Sequence, residues 1–173
     1  MTTSTDLASR WLPSPAPHTT TGRALGLVRY DPQPAHGQPG APRWAAATVI
    51  ALVGSVVADW VVATVTVAVV PSTSGYQHFR ASDYIGLTVI GVLAACVGWP
   101  VVTRACSHPR WLFSRLAVLV SAVLLLPDVA LLVQGQPVAA VVGLMVMHVA
   151  IGVVTYFALT RIAPERSDAA VTA

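Results

Sequence analysis

Asp59, Asp128 and His148 are the residues of this chain whose chemistry stands out, because each falls within a long apolar stretch. A charge at the centre of a bilayer costs roughly 2.5–3.5 kcal/mol on insertion scales. Residues kept there are shielded from lipid, used, or both. Burial disfavours the charged form of a carboxylate or an imidazole, and groups that lie close together share a proton and ionise jointly. The chemistry open to these three is therefore reversible proton binding in a low-dielectric core. The plainer reading is structural: buried polar groups that bond across helices contribute about 0.6 kcal/mol each and fix helix register.

The elements that must position these residues are helices. Of the 173 residues, 55% are hydrophobic and 10% charged, and mean hydropathy is +0.69. Soluble domains carry about 25% charged residues. About 20 apolar residues in a row cross a hydrocarbon core, and four stretches meet that length: about 44–70, 83–103, 111–133 and 137–161. The expected fold is all-α, an integral membrane four-helix up-down bundle over residues 43–163. A proline-rich tail over 1–42 is expected to be disordered and cytoplasmic, because it cannot bury a core. A short cytoplasmic tail follows over 164–173. No signal peptide is expected, since prolines follow Arg10, Trp11 and Leu12 before an apolar region can form.

Helical spacing gives each span a distinct face. Thr48, Ser55, Asp59 and Thr66 follow steps of seven, four and seven in span one. Ser114, Ser121 and Asp128 recur every seven residues in span three. His148, Gly152 and Thr155 align in span four, with Tyr156 at the edge of the stripe. Span two offers Thr88, Gly91, Ala95 and Gly98, a small-residue face of the kind that lets helices approach. All four faces are expected to turn inward. Asp59 and His148 lie near the middle of their spans, on helices that the bundle could make neighbours, whereas Asp128 lies about 9 Å toward the outer side. Pro127 removes an amide donor and strains a carbonyl, so span three is expected to kink there.

Arginine placement predicts orientation. Arg10, Arg23, Arg29 and Arg43 precede span one, Arg104 and Arg110 separate spans two and three, and Arg161 and Arg166 follow span four. Only Arg80 lies on the opposite side. The positive-inside rule makes both termini cytoplasmic, in a plasma membrane. Trp44, Trp99 and Trp111 fall where indoles anchor at interfaces. Cys96 and Cys106 form neither a disulfide framework nor a metal motif and are expected as free thiols. A lone intramembrane histidine provides no bis-histidine haem site, and no serine elbow, HExxH or phosphate-binding glycine loop is present. The chain therefore reads as non-enzymatic, without cofactor or metal. Its expected partners are the lipid bilayer and either a second copy or another membrane protein, with no nucleic acid.

At Pro127-Asp128 and Met147-His148, joined by the short 134–136 turn, the chain resembles a known group. It is similar to an uncharacterised family of small four-span membrane proteins, a domain of unknown function found in high-GC Gram-positive bacteria. The stretches that carry the likeness are LLLPDVALL (124–132) and GLMVMHVAIGVVTYFALTR (143–161), within a match over about Arg43 to Arg161. The resemblance implies the four-span fold and the pairing of Pro127-Asp128 with Met147-His148. It implies no activity. Three functions stay open: a non-enzymatic protein whose inward polar cluster organises the bundle or a partner, a small proton-coupled transporter, and an accessory subunit that docks through the tail.

Overall fold

The computed structural model describes residues 37–165. Most of the proline-rich tail and nearly all of the C-terminal tail lie outside the described residues, as do Arg10, Arg23, Arg29 and Arg166. Four helices make up the fold: α1 (Ala41–Val69), α2 (Ala81–Ala105), α3 (Pro109–Val133) and α4 (Val138–Ile162). Each is long and apolar enough to cross a membrane. Their Val- and Thr-rich sequences are indifferent helix formers in water. In hydrocarbon, where each unpaired backbone amide costs several kcal/mol, a helix is the conformation that satisfies them within one segment.

The helices begin and end within three residues of the stretches read from hydropathy. Local chemistry sets the ends. Pro42 and Pro109 occupy first-turn positions, where a missing N–H costs nothing. α3 ends in a Schellman turn: Gln136 N–H donates to the Leu131 carbonyl (3.1 Å) and Gly135 N–H to that of Leu132 (3.0 Å). Gly135 takes φ +79°, which a side chain would resist. The connection between α1 and α2 is longer and contains two 3-10 turns, Pro71–Thr73 and Gln77–Phe79.

α4 is the centre of the bundle. It packs against α1, α3 and α2, while α1 and α3 lie on opposite sides of it. α3 is the least embedded helix and buries only Pro109, Phe113 and Asp128. It runs as one helix through Pro127.

Two cores are stacked along the axis. One lies at the end holding the start of α1, where Ala47, Ala51, Val92, Cys96, Trp99, Phe113 and Leu159 pack together. Arg43, Arg104, Arg110 and Arg161 lie toward this basic end. The other lies at the loop end, where Ala63, Leu144 and Met147 meet Tyr76, Phe79 and Leu131.

Two expectations about helix faces need correction. Trp44 and Trp99 are interior ties rather than plain interface anchors. Trp44 Nε1–H donates to the Cys96 carbonyl at 2.9 Å, and the fully buried Trp99 donates to the Ala163 carbonyl at 2.8 Å. The latter contact satisfies a carbonyl that the end of α4 leaves unpaired. On α2, the inward face is Thr88, Val92, Cys96, Trp99 and Thr103. Gly91 and Gly98 have open space where a Cβ would stand, so they do not bring helices together within the chain. The large residues at 92 and 99 win the interior because they fill the gap against α1 and α4.

Candidate functional site

Asp128 and His148 meet across α3 and α4. His148 Nδ1 lies 2.9 Å from Asp128 Oδ2, within hydrogen-bonding distance. Helical side chains lean toward their own N-terminus. Asp128 on α3 therefore leans toward the middle of the bundle, and His148 on the antiparallel α4 leans toward the loop end. The two converge although their backbones differ in depth. Asp128 is buried, whereas part of the His148 ring stays exposed. The carboxylate is turned inward and paired, although it lies toward the outer side of its helix.

Asp59 on α1 finds its hydrogen-bonding partner on α2. Thr88 on α2 donates its hydroxyl to Asp59 Oδ2 at 2.6 Å. Asp59 is completely buried, and its other oxygen, Oδ1, has no hydrogen-bonding partner. His148 is not in contact with Asp59 but lies near enough to act on it electrostatically. His148 thus sits between the two carboxylates, bonded to one and coupled through space to the other.

A fourth titratable group closes the loop end. Tyr76 packs among Ala63, Leu144, Met147 and Phe79, with its hydroxyl buried and unpartnered. Burial, and then the negative charge of Asp128, push its phenol above the ordinary value. Beside it Phe79 plugs the gap between α1 and α4. A Cβ at position 143 would stand 2.9 Å from Phe79 Cζ and from Thr66 Oγ1, so glycine is what lets the loop seat here.

The remaining stripe residues divide into two kinds. Ser55 and Thr155 face each other across α1 and α4 at 3.4 Å. Ser121 approaches α4 at Gly152, where a Cβ would meet its hydroxyl at 2.9 Å. Thr48 and Thr66 instead donate to carbonyls of their own helix, those of Trp44 and Val62. Ser114 likewise bonds the Trp111 carbonyl within α3. Tyr156 lies in an aromatic stack on Phe113, 6.0 Å between centroids, and belongs to the packing of the basic end. Both cysteines are free and buried.

Two members of the cluster were not singled out from the sequence. Thr88 reads there only as one of several small residues, although it is the sole hydroxyl on its stripe. Tyr76 falls in a loop, and nothing in a periodicity argument turns a loop residue inward. Among the described residues, no group of three or more His, Cys, Asp or Glu side chains could hold a metal ion. What the arrangement can do is hold protons: two carboxylates and an imidazole share one low-dielectric region.

Residues 38–165 match a family described as a family of unknown function, DUF6069. The chain belongs to this family. The match covers all four helices of the DUF6069 chain and both halves of the polar cluster, including Gln38 and Glu165 at its limits. No curated protein and no solved structure matches the chain. Family membership agrees with the uncharacterised four-span group read from Pro127-Asp128 and Met147-His148. It brings no activity.

Proposed function

We propose that this DUF6069 protein is a non-enzymatic, multi-pass protein of the plasma membrane whose inward polar cluster organises the bundle. The observation that carries this reading is the way α3 is held. It has only three buried residues, and Asp128 is the one in its loop-end half. The Asp128–His148 pair is therefore the specific tie between α3 and α4 in that half. Both termini are cytoplasmic in this reading, supported by Arg43, Arg104, Arg110, Arg115 and Arg161 toward one end against Arg80 toward the other. The lipid bilayer is the principal partner, and the broad apolar outer surface of α3 is suited to lipid or to another membrane protein. Alanine at Asp59, Asp128 and His148 together should lower thermal stability in detergent. Full stability of the triple variant would count against the reading.

A second reading, a small proton-coupled transporter, is favoured by the unpartnered Oδ1 of Asp59 in the core. It predicts pH-dependent flux of a cationic substrate into proteoliposomes that Asp59→Asn abolishes. Flux that persists in that variant removes it.

A further inference from the structure

We propose that Asp59, His148 and Asp128 form one exchangeable proton-binding site in the bundle core, whose neutral state holds two protons among the three groups. The proposal relies on the membrane-bundle reading above and adds to it the identity of the ligand. Asp59 is the starting point. It is fully buried, and Thr88 satisfies one of its oxygens while the other faces no donor. An ionised carboxylate is poorly accommodated in that setting, since a buried charge is retained when it is paired and hydrogen-bonded.

The groups facing this region come from every packed element. α1 supplies Asp59 and Ser55, α2 supplies Thr88, α3 supplies Asp128 and Ser121, α4 supplies His148 and Thr155, and the α1–α2 loop supplies Tyr76. Among the described residues no arginine bonds to any of the three titratable groups. Charge must therefore balance within the cluster. A protonated His148 against an ionised Asp128 is neutral as a pair, and Asp59 then completes a neutral core by carrying the second proton. Loss of that proton leaves one net negative charge in the core at the level of His148, because α1 packs on α4 with Ser55 beside Thr155 and Thr66 beside Gly143. The three groups then share their protons as one site.

The ligand is a proton rather than a metal cation. A hard cation takes six or more oxygen ligands, or keeps several waters. Among the described residues one hydroxyl, that of Thr88, bonds Asp59, and it already spends its hydrogen on the carboxylate, and no group of His, Cys, Asp or Glu fit to hold a metal ion is present.

The test is a pH titration followed by infrared spectroscopy on the full-length protein in vesicles of phosphatidylethanolamine and phosphatidylglycerol. A carbonyl band from a buried carboxylic acid should appear and disappear reversibly with pH. Asp59→Asn should remove it, and Asp59→Glu should displace it without loss. Should the asparagine variant fail to fold, the glutamate variant and carboxyl-labelled aspartate in the unsubstituted protein still locate the band. His148→Gln should move the midpoint by about one pH unit or more, as coupling demands. A band that is missing, independent of pH, untouched by both Asp59 substitutions or unmoved by His148→Gln overturns the proposal. A silent Asp59 in a stable, helical protein would leave the bundle reading intact, so the two failures are distinguishable.

Discussion

The two ends of the bundle are held together by different chemistry. At the basic end, neutral or exposed groups tie the helices: the indoles of Trp44 and Trp99 donate to backbone carbonyls, Gln38 and Thr103 exchange hydrogen bonds, and Arg110 pairs with Glu165 at an exposed site. Trp99, Phe113 and Tyr156 stack beneath them. Toward the loop end, the ties run through Asp59 to Thr88 and through Asp128 to His148. A neutral donor on a carbonyl is indifferent to pH. A buried carboxylate on an imidazole is not. The two ends thus differ in kind: indole and amide donors on carbonyls at one, carboxylates on a hydroxyl and an imidazole at the other.

The largest effect expected breaks the anchor. Trp99→Ala removes a fully buried indole and leaves the Ala163 carbonyl without its donor, and Trp→Ala in a core costs roughly 3–5 kcal/mol. Thermal unfolding in detergent should show a large loss of the same size at every pH. Gly143→Val acts at the other end by overpacking, forcing Phe79 and Thr66 apart at a cost of about 1–3 kcal/mol. Limited proteolysis should then cut the 70–80 loop faster while the basic end stays protected.

Asp128→Ala should cost less, about 0.6–1.7 kcal/mol, the range seen for polar ties between membrane helices. It sharpens the comparison in a way the first two do not. The loss should be reproduced by His148→Ala in thermal unfolding near neutral pH, because both substitutions remove the same 2.9 Å contact. Smallest of all is Tyr76→Phe. Its hydroxyl is buried and unpartnered, so removal should be neutral or stabilising. The sign of its pH effect follows from the neutral phenol being favoured in the folded protein. The contribution is complete below the ordinary value of about 10 and lost only as pH rises through the higher folded one. Loss of a component titrating above about 10 from the tyrosinate absorbance of the phenylalanine variant would confirm the assignment.

The helices were legible in the chain because apolar length is a one-dimensional signal. Asp59, Asp128 and His148 were legible for the same reason, as exceptions within apolar runs. Their partners were harder to read. Helical spacing places Ser55 and Asp59 on one line, but it cannot rank the three other helices, so the Asp59–Thr88 bond to α2 was not legible. Glycine spacing on α2 pointed toward Gly91 and Gly98, whereas Val92, Cys96 and Trp99 took the interior by volume. Tyr76 was invisible because its burial is set by how a loop folds back over α4, a three-dimensional fact that no local pattern carries.

The central claim is that Asp128 and His148 form a specific tie between α3 and α4, and a double-mutant cycle tests it most directly. Thermal or denaturant unfolding in detergent would be measured for Asp128→Asn, His148→Gln and the double variant near neutral pH. A coupling energy of about 0.6–1.7 kcal/mol is predicted. Strictly additive losses at that pH would contradict the pairing on which the account is built.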